Sequence, residues 1–173
     1  INHLQKNKEI ILQKSSKSNQ SYYVRKLPDS QKAADILYEL CTKLEALCES
    51  LKSSDKSACK RLLERFDCKT MSETIPGSQY TSYSVNKGEK LSICIRNKST
   101  NAFLDINTIT FVAIHELSHV MSESVGHTKE FWSNMKFLLE QAEKISIYKP
   151  VDYSKHPVKY CGMIINSSPY DFK

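Results

Sequence analysis

The pentapeptide His115-Glu116-Leu117-Ser118-His119 holds residue types whose spacing suits metal-assisted hydrolysis. On an α-helix, residues four apart lie one turn above each other on the same face. The two imidazoles can therefore bind one zinc ion together, at Zn–N distances of about 2.0–2.1 Å. Glu116 is rotated about 100° around the helix from His115, too far to be a third ligand. It is placed to hold a water beside the metal and take its proton, the role of the glutamate in H-E-x-x-H. The flanking run from Thr108 to Met121 contains Phe111, Val112, Ile114, Leu117 and Val120, so the helix is expected to be central and buried. Buried imidazoles and a buried carboxylate cost free energy unless something satisfies them. A hydrogen-bonded pair of core histidines is the competing reading; zinc is preferred.

A catalytic zinc site takes three protein ligands and keeps one position open. His127 is expected to be the third. In Gly126-His127-Thr128-Lys129-Glu130-Phe131-Trp132, Gly126 can end the metal helix and Thr128 can cap the next one, from Lys129 to about Ile145. His127 then falls in a tight bend and can fold back toward His115 and His119. Glu140 and Glu143, 21 and 24 residues beyond His119, are rivals at a separation used by thermolysin-like enzymes. Glu123 is a further option, but one turn along the same helix it cannot easily close a tetrahedron.

His-Glu-Leu-Ser-His followed by Gly-His-x-x-x-Phe-Trp resembles the WLM and SprT-like group of zinc peptidases. In that group a short H-E-x-x-H helix precedes a histidine and then an aromatic pair opening the next helix. The ending Tyr160-Cys-Gly-Met-Ile-Ile-Asn-Ser-Ser-Pro169 is similar to WLM-type metallopeptidases of large DNA viruses. The resemblance spans roughly Tyr80 to Pro169. It implies a zincin-like α+β fold, Zn2+ as cofactor and protein as substrate, either protein crosslinked to nucleic acid or a virion or host protein. The interval between His119 and His127 is longer than the family's usual one, so extra chain must be absorbed there. The alternative is a zincin fold used as a structural or virion-packaged protein with weak or no catalysis. Glu116 argues against it, because a structural zinc needs no general base.

These residues need elements to position them. Residues 1–27 are mostly polar, with Lys6, Lys8, Lys14 and Lys17, and read as a basic arm with a short strand at Tyr22–Val24. A single domain is expected over residues 28–173. Pro28-Asp29-Ser30 opens a helix to about Leu51, with Ala33, Leu37, Leu40, Leu44 and Leu47 at helical spacing. A second helix runs from Ser57 to Phe66. Tyr80–Val85 and Leu91–Ile95, joined by turn residues Asn86 to Glu89, predict a small antiparallel hairpin beside the metal helix. Its edge, or a short strand at Ala102–Leu104, could pair with extended substrate. Asn107 or Thr108 can cap the metal helix. Beyond the second metal-site helix, Tyr148, Tyr153, His156 and Tyr160 are candidates to hydrogen-bond an oxyanion, although packing is the commoner use of each.

At 173 residues and 40% hydrophobic, the chain can bury one real core. The net charge of +6 favours acidic partners in general. It comes from 21 Lys and only 4 Arg, and no arginine cluster or nucleic-acid motif is present, so nucleic-acid association is weakly supported. No run reaches the roughly eighteen apolar residues of a membrane span, and no signal peptide is evident. An intracellular place is expected, in a virus factory or virion under the resemblance. The oligomeric state is open. Cys41, Cys48, Cys59, Cys68, Cys94 and Cys161 show no C-x-x-C spacing, so reduced buried thiols are expected, with disulfides left open by the even count.

Overall fold

A computed structural model describes residues 9–74, 82–85, 87–88 and 90–172. Its first long helix, α1 (Ser30–Ser50), buries the stripe Ala33, Leu37, Leu40, Leu44 and Leu47 completely. That stripe lies on a sheet of β1 (Ile10–Lys14), β2 (Ser21–Arg25), β3 (Met71–Glu73), β4 (Tyr83–Val85) and β5 (Lys90–Ile93). The strand order is β1-β2-β3-β5-β4. β1 with β2 and β4 with β5 are antiparallel. β2 with β3 and β3 with β5 are parallel. The parallel centre follows from connectivity: α1 and α2 (Ser57–Arg65) carry the chain back across the sheet between β2 and β3.

The hairpin at β4–β5 is as expected, with Tyr83 opposite Ser92; Tyr80, Thr81, Asn86 and Glu89 lie outside the described residues. Ala102–Leu104 contributes only a bridge from Phe103 to Arg96. The segment expected as an arm is, from Ile10 onward, a hairpin of the sheet. Its alternation is one-sided: Tyr22 and Val24 are buried while Leu12 and Tyr23, paired across the strands, face solvent. Two inward residues in a polar stretch were enough to add this hairpin to the sheet edge.

α3 (Ile106–Met121) is buried nearly all round and packs between α2 and α4 (Lys129–Lys144). Its cap is Asp105, whose carboxylate accepts from the Thr108 amide at 3.2 Å, not Asn107 or Thr108. Asn107 instead ties down the tail: its side chain donates to the Lys149 carbonyl and accepts from the Lys149 amide, at 2.8 and 2.9 Å. Thr128 caps α4 as expected, accepting from the Phe131 amide. α3 ends at Met121 rather than at Gly126, which sits in the following loop at φ +87°.

Buried Arg96 knits the far side together. It donates to Glu73 at 2.6 Å and to Asp29 at 2.7 Å, with its guanidinium over the Phe103 ring. The tail returns as a hairpin, β6 (Val158–Tyr160) and β7 (Met163–Ile165). The cysteines depart from the reduced state expected of them. Cys41–Cys68 and Cys94–Cys161 are disulfides, with Cα separations of 5.3 and 6.3 Å, while Cys48 and Cys59 are free. Both separations are ordinary for a bridge, but the pairing joins residues far apart in sequence, which spacing alone cannot reveal.

Candidate active site

His115 and His119 occupy successive turns of α3, and the loop from Ser122 to Thr128 swings His127 back over them. One nitrogen from each ring lies within 4.8 Å of the other two. His115 Nε2 and His127 Nε2 are 3.2 Å apart. A tetrahedral zinc with Zn–N near 2.05 Å places its ligand nitrogens about 3.3 Å from one another, so this donor set fits such an ion. The Phe131 ring lies 4.3 to 4.9 Å from the three imidazole centroids, and Trp132 lies 5.5 Å from His127. Phe131 is wholly buried, so the rings rest on a fixed apolar floor.

Burial governs the charges. His115 and His119 are each held down to about 4, chiefly by desolvation and then by neighbouring imidazoles. They are therefore neutral, as metal ligands must be. Glu116 is pushed up to about 8 by burial alone. Among the described residues none donates a hydrogen bond to its carboxylate. A dication among the imidazoles would oppose that shift, because a nearby positive charge favours the carboxylate.

The loop bearing His127 is staked by charged side chains. Lys87 Nζ donates to the carbonyls of Ser122, Glu123 and Ser124 at 2.5, 3.1 and 3.0 Å. Glu130 accepts from the amides of Glu123 and Ser124 at 2.9 Å each, and from the Ser124 hydroxyl at 2.6 Å. Those bonds draw Glu130 down to about 2. Arg61 donates to the Met121 carbonyl at 2.9 Å and to Glu123 at 3.1 Å. The long interval after His119 is thus taken up by an irregular loop whose backbone polar groups meet side chains.

The rivals lie elsewhere. Glu140 is exposed. Glu143 accepts from the Tyr170 hydroxyl at 2.6 Å, and Glu123 is engaged by Arg61. Of the tail residues, Tyr148 and Tyr153 pack against Phe111 and His156 is exposed. Tyr160 is the one that reaches the site. It lines, with His115, Glu116 and Ser82, a cavity of about 350 Å³. Its hydroxyl donates to the Cys94 carbonyl at 2.7 Å and lies 2.7 Å from Ser82 Oγ. Lys87, Arg61 and the wall built by β6 and β7 were not foreseen from the sequence. Glu130 had the only local signal, an acid at the start of a helix.

Comparison with known proteins gives a consistent picture. The profile described as the WLM domain matches residues 17–162. An uncharacterized protein of Acanthamoeba polyphaga mimivirus is 33% identical over 159 residues, 88% of this chain and 81% of that one. An uncharacterized protein of Invertebrate iridescent virus 6 is 35% identical over 83 residues, 46% of this chain and 44% of its own. The crystal structure of Wss1 from Saccharomyces cerevisiae is similar in fold, with a TM-score of 0.57 at 21% identity, over 71% of this chain and 87% of that one.

Proposed function

The chain belongs to the WLM family, a metallopeptidase family, and from that premise we propose that it is a zinc-dependent peptidase using His115, His119 and His127 as ligands and Glu116 as base. The observation that carries this reading is the convergence of three imidazole nitrogens beside a buried carboxylate, at the end of a cavity. When bound, zinc supplies Lewis acidity, polarising a carbonyl and acidifying a water. The chain's own groups do the rest. His115 and His119, neutral through burial, offer lone pairs from a helix that cannot shift without disturbing the core. Glu116 accepts a proton from the attacking water and passes it to the leaving amine, which needs one proton as the C–N bond breaks. Phe131 and Trp132 shield the imidazoles on one side and limit water there.

Protein is the substrate this cleft suits. Among the described residues, no helix is long and apolar enough to cross a membrane. The relatives are proteins of large DNA viruses, and we place the action in an infected cell or a virus particle. The test is turnover of an unfolded protein by zinc-loaded wild type and by Glu116→Gln. Glu116→Gln should keep its zinc and lose activity by about 100- to 10,000-fold. Equal turnover by the two proteins would remove Glu116 from the reaction.

A further inference from the structure

The cavity beside His115 and Glu116 has a largely apolar lining. The chain carries 25 Lys and Arg, yet among the described residues none of them lines this cavity; there Glu116 is the one carboxylate, and His115 the other titratable group besides Tyr160. Its apolar lining comes from three elements. Phe111 and Val112 stand one turn before His115 on α3. Trp132 and Met135 come from the opening turns of α4. Met163 and Ile164 come from the β6–β7 hairpin. All three elements are fixed. The helices carry or support the imidazoles, and the hairpin is held to the sheet by the Cys94–Cys161 bridge and the Tyr160 hydroxyl.

Met163, Ile164 and Trp132 are 49%, 59% and 40% exposed, so apolar surface is presented to solvent along this lining. At about 350 Å³ the space lies at the small end of ligand pockets. It suits one large side chain with its backbone rather than an extended ligand. A charged side chain entering it would lose water and, among the described residues, meet no opposite charge except Glu116.

We propose that this cavity is a specificity subsite that binds a large apolar side chain, aromatic or long aliphatic, next to the bond being cut in an extended polypeptide. The inference rests on the peptidase reading above, and its test separates the two. Trp132 is the chain's single tryptophan and forms part of the wall, so its emission reports occupancy without any catalysis. The probes are blocked glycine–alanine hexapeptides with one central Phe, Leu, Asp or Lys, titrated into zinc-loaded Glu116→Gln protein.

Phe and Leu peptides should bind at least about tenfold more tightly than Asp or Lys peptides, a difference of about 1.4 kcal/mol. Met163→Glu, at a half-exposed position, should cut the Phe-to-Lys ratio at least about threefold. Equal affinities, or an unchanged ratio in Met163→Glu, would overturn the subsite. Cleavage sites of the wild type on denatured protein complete the test. Cuts without apolar enrichment beside the scissile bond overturn the subsite and leave the peptidase standing. Selective binding with no cleavage overturns the peptidase and leaves the subsite.

Discussion

Burial sets the state of Glu116 before any metal arrives. In metal-stripped protein its carboxyl is held near 8, against 4.5 for the free group. An acid whose folded value is raised stabilises the fold below its unfolded value, and that contribution is lost as pH rises toward the folded one. Glu116→Gln should therefore become progressively more stable than wild type from about pH 4.5 to 8, by at most a few kcal/mol. His115 and His119 act in the opposite direction: lowered to about 4 from 6.5, they cost stability as pH falls through that interval. They do so in both proteins and cancel in the comparison. Melting temperatures in chelator at pH 5 and pH 8 check this; a gap that fails to widen contradicts it, and saturating zinc should narrow it. The third ligand has its own test. His127→Ala should weaken zinc at least about tenfold while Glu140→Ala leaves it nearly unchanged, measured by competition with a chromophoric chelator.

At the scale of elements, the loop from Ser122 to Thr128 decides where His127 points. Glu130→Ala removes the acceptor for two loop amides, and zinc affinity should drop roughly tenfold, with Glu130→Gln recovering only part of it because its one oxygen can accept from one of the two amides. Unchanged zinc binding in Glu130→Ala would mean that the loop holds its shape from Lys87 and Arg61 alone. What was legible beforehand follows the same division. The three histidines that the structure brings together could be read from sequence because their signals are local: a helical interval of four, a threonine cap, an aromatic pair. The cavity wall could not. It depends on Ser82 meeting Tyr160 and Cys94 meeting Cys161, contacts across 78 and 67 positions with no periodic trace. The parallel centre of the sheet was hidden for a similar reason, since short strands such as Met71–Glu73 carry too few residues to show alternation. Asp105, Asn107 and Thr108 are all good caps by type, so residue type alone does not single out Asp105.

For the whole molecule, the Arg96 cluster is the polar counterpart of the α1 core. Arg96 and Glu73 are both 2% exposed at their side chains, and Arg96→Met would leave the Glu73 carboxylate buried with, among the described residues, the Arg25 amide as its remaining donor. Breaking one partner of such a pair costs about 3–5 kcal/mol, readable as a fall in urea midpoint; a loss under 1 kcal/mol would mean that water reaches Glu73. The Cys94–Cys161 bridge has a different reach. It closes a covalent ring over a separation of 67 residues, and both α3 and α4 lie inside that ring. One peptide bond cut anywhere within it by an added protease opens the ring without releasing a fragment. Such nicked molecules would travel as a single band on a non-reducing gel and separate into two pieces only after a thiol reductant is added.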